Sequence, residues 1–389
     1  MAKRIAWWVS YFAGVIIFIL VGCEIFLRFW IPHPQGYFVY PPHSVYRFVP
    51  DPETTPGVEG VSHFVANSLG MRADEIPPDA KRRILVFGGS TGVDVYLDQK
   101  NEMWTHRVQN MLNATPGQPK TWVGNVARPS LTTIDNLLQF DLMLPNLPHM
   151  DMFVDLVGVN DLLLALHSSY GHVPTLGDHL NATFSIMPKK GWRNLALYRF
   201  YERIKYWLKG SHEHFVQTEN AKGFAKWIHC RQAAPNENLV DLPNLDDSLA
   251  NYRLHLNKLV DRSEAYHAPM IFLTQPTLWK ANMTPENKAL LQVGGVGPRR
   301  DWCTKKLYYS PAALARGMEM FNDVLRDVCR RRKLYCIDLA ARVPKERRYF
   351  FDEMHYSEAG ARLVSDVVTA GIIDYRAWVA HNSAHRVHS

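Results

Sequence analysis

An apolar stretch, IAWWVSYFAGVIIFILVGCEIFLRFW at residues 5–30, opens the chain. At about 1.5 Å per residue a helix of this length crosses a hydrocarbon layer of roughly 30 Å. Residues 31–80 are richer in proline and polar side chains and read as an extended stalk and entry segment that contains NSLGMR (67–72). From residue 81 a different rhythm begins. ILVFGG (84–89), WVGNVA (122–127), MFVDLVG (152–158), MIFLTQ (270–275) and LYCIDL (334–339) are short apolar, β-branched runs. Helical patterns separate them, at 102–112, 132–143, 247–266, 311–331 and from 357 onward. Buried parallel strands carry such continuous apolar runs, and their alternation with helices predicts a doubly wound α/β fold with a five-stranded parallel sheet. Sites in such sheets lie at the carboxyl ends of the strands. Residues 165–246 interrupt the rhythm as an insertion. The organisation expected is an anchor (1–30), a stalk (31–80) and an α/β domain (81–389).

Lys3 and Arg4 precede the apolar stretch, so the positive-inside bias puts the N-terminus in the cytosol and the body of the chain outside it, in a periplasm-like space. Leu20-Val21-Gly22-Cys23 also has the form of a lipobox, with Cys23 as the lipidated residue, although the apolar IFLRFWIP follows it where a polar tether is usual. Both readings, uncleaved span and lipoprotein, put the chemistry outside the cytosol. There an oxidising environment permits up to two disulfides among Cys230, Cys303, Cys329 and Cys336, in any of three pairings. Within the insertion, residues 192–209 form a basic, aromatic helix. It either lies on an anionic membrane surface or packs its Tyr and Leu face on the core.

The 389 residues have 47% hydrophobic and 21% charged side chains, an ordinary globular balance that excludes extensive disorder. The net charge of +7 is spread along the chain. It points to an anionic surface nearby and gives no nucleic-acid site, and the basic runs at 330–333 and 345–348 read as helix ends favoured by the macrodipole. No His/Cys/Asp cluster has metal-ligand spacing, and no metal or other cofactor is expected.

Three strand ends carry candidate chemistry. Gly88-Gly89-Ser90-Thr91-Gly92 follows the first strand, where small residues allow a sharp turn that exposes the Ser90 hydroxyl. The third strand ends in Val157-Gly158-Val159-Asn160-Asp161, where the Asn160 amide can donate to a developing oxyanion or cap the next helix. Near the C-terminus, Asp352 and His355 stand three apart, so the carboxylate can orient the imidazole, which could then take the Ser90 proton.

In their order and spacing these pieces resemble the SGNH/GDSL hydrolase superfamily, over roughly residues 81–375. Its Ser, Gly, Gly-x-Asn-Asp and Asp-x-x-His blocks look like residues 88–92, 125–130, 158–161 and 352–355. NSLGMR, Thr274-Gln275-Pro276 and HYSEAG look like membrane-anchored members. The resemblance implies Ser90 as nucleophile, His355 as base and Asp352 as its orienter. Gly89 and Gly158 would support an oxyanion hole formed by Ser90, Ser130 and Asn160. Two residues depart from the family pattern: Gly89 stands where Asp usually precedes the serine, and Ser130 where a glycine supplies a backbone N–H. The implied activity is an esterase that removes acyl groups, acetyl foremost, from an envelope or extracellular glycan. Acyl transfer to a polysaccharide hydroxyl by the same triad is an alternative, as is a non-catalytic scaffold bound to an envelope membrane protein. The expected partners are an acylated glycan or small ester and the membrane, through residues 5–30.

Overall fold

The structure is a computed structural model that describes residues 2–30, 36–169, 171, 173–188, 191–208, 216–235, 237 and 239–386. Its first half runs α1 (Ala2–Trp30), β1 (Val45–Val49), β2 (Ser62–Val65), β3 (Arg82–Gly88), α2 (Ser90–Val93) and α3 (Trp104–Ala114). Then come β4 (Thr121–Asn125), α4 (Thr133–Leu138), β5 (Met152–Leu156), α5 (Val159–Ser168), α6 (Leu176–Thr183) and α7 (Ala196–Leu208). The second half holds β6 (Val216–Asn220), α8 (Ala225–Gln232), β7 (Leu239–Val240), α9 (Asp246–Ala265), β8 (Met270–Leu273), α10 (Pro285–Lys288) and α11 (Trp302–Lys305). β9 (Tyr308–Tyr309), α12 (Pro311–Arg331), α13 (Leu339–Arg342) and α14 (Glu358–Arg386) complete it.

The chain divides into two units, residues 1–37 with 186–215, and residues 38–185 with 216–389. In the first, α1 includes an apolar span, Arg4–Trp30, long enough to cross a membrane and unburied along its length. The second is built on a parallel sheet in the order β4-β3-β5-β8. Ile84, Leu85, Val86 and Phe87 of β3 are buried, as are Phe153 and Val154 of β5 and Ile271 and Phe272 of β8. A sheet covered on both faces demands this continuous apolar pattern. The connection from β3 goes to one neighbour, β4, and the chain then returns to the other side as β5. The crevice between the carboxyl ends of β3 and β5 is therefore the switch point where such folds place their sites.

Among the described residues four strands, not the expected five, form this sheet. The run 334–339 contributes one bridge, Ile337 to Leu273, in which Ile337 donates to Phe272 O (3.0 Å) and accepts from Thr274 N (3.2 Å). Cys336 is tied back to Cys329, and Asp338 already caps α13, so the chain leaves the sheet after one residue. The other pair is Cys230–Cys303, and Cys23 is free and exposed.

The entry segment also differs from the stalk expected of it. From Phe38 it belongs to the same unit as the sheet, and β1 pairs with β2 and with β6. Residues 31–35 of that stalk lie outside the described residues. Phe48, Phe64 and Met71 are buried. Arg72, the last residue of NSLGMR, has no solvent exposure and stacks on Phe64, 4.7 Å from the ring centroid. Its guanidinium donates to the carbonyls of Val93, Asp94 (2.8 Å) and Leu97 (2.6 Å), which neutralises the chain just after α2. The insertion is likewise split: 186–215 belongs to the first unit, and the flanking parts pack in the second. The basic run 330–333 meets carboxylates, with Arg330 and Arg331 on Asp327 and Arg332 on Asp261 and Glu264.

Candidate active site

At the end of β3 the backbone turns through Gly88 at φ 145°, where a Cβ would lie 2.7 Å from the Leu156 carbonyl. Gly89 then caps α2, and Ser90 begins it. The turn is closed by Val93 N donating to Gly89 O (3.2 Å) and Asp94 N donating to Ser90 O (2.9 Å). Next to Ser90, the Thr91 hydroxyl donates to Gln275 Oε1 (2.9 Å), which ties the turn to the end of β8.

At the end of β5, Gly158 at φ 123° caps α5, and Asn160 lies in its first turn. One amide hydrogen of Asn160 goes to Leu131 O (2.8 Å), which fixes the side chain and leaves its second hydrogen to point elsewhere. A Cβ on Gly89 would fall 2.1 Å from Asn160 Nδ2. The absence of a side chain at Gly89 is therefore what lets this amide lie against the serine turn. Gly158 is also tight, since a Cβ there would be 2.9 Å from Met318 Cε.

Ser130 has φ 70°. The left-handed region costs an L-residue roughly 1–2 kcal/mol and is routine for glycine. The serine thus holds a backbone conformation that glycine adopts without cost.

The base side is built from hydrogen bonds. Asp352 is 1% exposed. Its Oδ1 accepts from the backbone N–H groups of Met354 and His355, both at 2.8 Å. Its Oδ2 accepts from His355 Nδ1 (2.6 Å) and from the Gln292 side-chain amide (2.6 Å). Burial pushes the Asp352 carboxyl up, but the charge and hydrogen bonds of His355 outweigh it and hold the group below the usual range. Burial likewise lowers His355, and the Asp352 charge and hydrogen bond reverse this, leaving the imidazole above its ordinary value. With Nδ1 bonded to an ionised carboxylate, Nε2 is the free nitrogen. The Phe351 ring stacks on the imidazole at 5.4 Å, limiting its rotation.

Ser90, Ser130, Asn160 and His355 line one cavity of about 430 Å³, together with Asp94 and Gln292. Most of the remaining wall is apolar and includes Tyr96, Leu163, Leu166, Phe224 and Met354. The structure therefore brings together side chains from positions 90 to 355, with Asp352 behind His355 and the two glycines behind Ser90 and Asn160. Three residues carried no signal in the sequence. Gln292 lies in a segment without periodicity, 60 residues from the carboxylate it serves. Glu353, fully buried, accepts from Gln292 N (3.2 Å) and Val293 N (2.6 Å) and so holds that segment in place. Burial, and then the Asp352 charge, raise its carboxyl to about 7. Asp94, four residues after Ser90, is 4% exposed with neither carboxyl oxygen hydrogen-bonded among the described residues, and burial raises it well above the usual range.

No protein-family model matches the chain, and no curated protein matches it. Solved structures do. A lipase/acylhydrolase from Enterococcus faecalis is 15% identical over 75% of this chain and 95% of its own, with a TM-score of 0.40. Axe2, an acetylxylan esterase from Geobacillus stearothermophilus, is 12% identical over 76% and 96%, with a TM-score of 0.41. An alpha/beta hydrolase from the metagenome of Lake Arreo is 13% identical over 75% and 95%, at 0.38. Resemblance at this level assigns no role to any residue of this chain.

Proposed function

We propose that this chain is a membrane-anchored serine esterase acting outside the cytosol. The observation that carries the reading is the buried Asp352 carboxylate, which holds His355 Nδ1 at 2.6 Å on the wall of the cavity that also contains Ser90 and Asn160. His355 Nε2 takes the Ser90 proton as the hydroxyl oxygen attacks an ester carbonyl, and the imidazolium is balanced by Asp352. The oxyanion of the tetrahedral intermediate receives the Ser90 N–H, the free amide hydrogen of Asn160 and the Ser130 N–H. His355 then returns the proton to the departing alcohol, and water cleaves the acyl-enzyme by the same route in reverse. General base catalysis of this kind contributes roughly 10²–10⁴, and each oxyanion donor about 10²–10³.

The substrate proposed is an acetylated or similarly acylated envelope glycan, on the strength of the motif resemblance, with the acyl group against the apolar wall. α1 serves as the anchor, with its Arg4 end in the cytosol. The test compares the full chain with Ser90→Ala for p-nitrophenyl acetate hydrolysis and for fluorophosphonate labelling. Labelling and turnover are expected in the wild type and absent from the variant. Wild-type protein that neither turns over nor labels overturns the reading.

A further inference from the structure

The helix α7 shares the first unit with α1, and its start is built onto α1. Glu24 accepts the backbone N–H groups of Ala196 (2.9 Å) and Leu197 (3.0 Å), and Arg28 Nε donates to the same carboxylate (2.9 Å). The first N–H groups of a helix have no partner within it, so a carboxylate there fixes where the helix begins. Glu24 stands six residues before Trp30, about 9 Å of helix from the end of α1.

Leu197, Phe200, Tyr201 and Ile204 follow at i, i+3, i+4 and i+7, which places them on one stripe of α7. A helix docked on a core by this stripe would bury it. Here Phe200 is 41%, Tyr201 58% and Ile204 39% exposed, and Trp192, just before the helix, is 63% exposed. Arg199 and Lys205 lie off the stripe; Lys205 is exposed, while Nε and Nη1 of Arg199 are buried. An apolar stripe with aromatic residues that stays partly exposed on α7, with the exposed Lys205 off it, is the composition of a helix lying in a membrane interface.

We infer that α7 is a second membrane contact, an in-plane helix whose Leu197, Phe200, Tyr201 and Ile204 enter the headgroup–acyl boundary of the leaflet from which the Glu24 end of α1 emerges. The inference rests on α1 spanning the bilayer. Its occupant is lipid because Glu24 fixes α7 at the level where α1 leaves the membrane, and because the exposed Lys205 suits anionic headgroups.

The experiment uses the full chain in phosphatidylcholine vesicles containing phosphatidylglycerol, in a Cys23→Ser background. Single labels are attached at Phe200→Cys and Ile204→Cys on the stripe, at Arg199→Cys and Lys205→Cys off it, and at Ile16→Cys in α1. Lipids brominated near the headgroup should quench the stripe labels at least two-fold more than the off-stripe labels, and lipids brominated deep in the chain should quench the label at 16. Omitting phosphatidylglycerol should reduce the stripe signal. Glu24→Ala should erase the stripe contrast while fluorophosphonate labelling of Ser90 reports an intact fold. Equal quenching on and off the stripe, or none, with the label at 16 still quenched, overturns the inference and leaves the span in place. An unquenched label at 16 overturns the span itself. Stripe protection that disappears at one chain per vesicle assigns the face to a second copy and overturns the lipid assignment, and a contrast that survives Glu24→Ala overturns the role of Glu24.

Discussion

Around Ser90 the chain is positioned by missing side chains, whereas around His355 it is positioned by added hydrogen bonds. Gly88 clears the Leu156 carbonyl, Gly89 clears the Asn160 amide, and Ser130 holds a glycine's φ. On the other side, Asp352 accepts four N–H donors, and Glu353 anchors the segment that supplies one of them. In the proposed mechanism the difference follows from what each half does. An oxyanion pocket needs N–H groups brought close by the backbone, and close approach tolerates no Cβ. A base needs a fixed tautomer and a counter-charge, which only polar side chains provide.

The largest effect separating the two halves should come from Asp352→Asn, which leaves the shape intact and removes the counter-charge. Turnover of p-nitrophenyl acetate is expected to fall about 10³–10⁴-fold. The pH profile sharpens this. In the proposed mechanism His355 acts as a base when neutral, and Asp352 holds it above its ordinary 6.5. The acid limb of kcat/KM in the wild type therefore lies above 6.5, and it moves down in the variant, where burial, which disfavours the cation, is left without the opposing charge. An acid limb that stays put in Asp352→Asn breaks the account of the base side.

Gly89→Ala tests the other half. Its methyl group would meet Asn160 Nδ2 at 2.1 Å, so the amide must move, and kcat should drop roughly 10²–10³-fold. Adding Asn160→Ala to Gly89→Ala should then cost little more. Full additivity in kcat would mean that the two residues do not act on the same donor.

These two predictions concern parts of the site that were legible in the sequence, for a physical reason. The Ser, Gly-x-Asn-Asp and Asp-x-x-His stretches are each short pieces of backbone whose local geometry does the positioning, so their residues stand together in the chain. Gln292 and Glu353 were not legible, because what links them is a hydrogen bond across 61 residues. The sheet was legible through β8 from its apolar runs. The run at 334–339 has the same composition, yet a disulfide and a cap withdraw it. Arg72 was visible as part of NSLGMR, but its burial beneath the nucleophile turn depends on a cage of carbonyls that composition does not encode.

Two smaller effects remain. The Glu353 carboxyl titrates near 7 in the fold and near 4.5 when unfolded. The folded state therefore holds more protons between these values, and its stability falls as pH rises through them. Glu353→Gln should remove roughly 2–3 kcal/mol of that decline, measured as denaturant midpoints from pH 5 to 8. A decline that persists in the variant assigns it elsewhere. Smallest of all, Ser130→Gly should relieve the left-handed strain, less the entropy that glycine adds to the unfolded chain, and gain roughly 0.5–1 kcal/mol in thermal unfolding. A loss of stability would mean that the serine side chain contributes more than its conformation costs.

The Cys230–Cys303 bond closes a loop of 73 residues and joins α8 to α11, next to Phe224 and Trp302 of the cavity wall. In the chain-entropy account such a loop is worth about 4 kcal/mol. With the domain outside the cytosol, as proposed, the shape of this pocket is a product of export. A chain newly made in a reducing cytosol has its nucleophile turn but not the covalent tie across its pocket wall. Under the proposed orientation, the pocket acquires its final form only after the chain has left the reducing compartment.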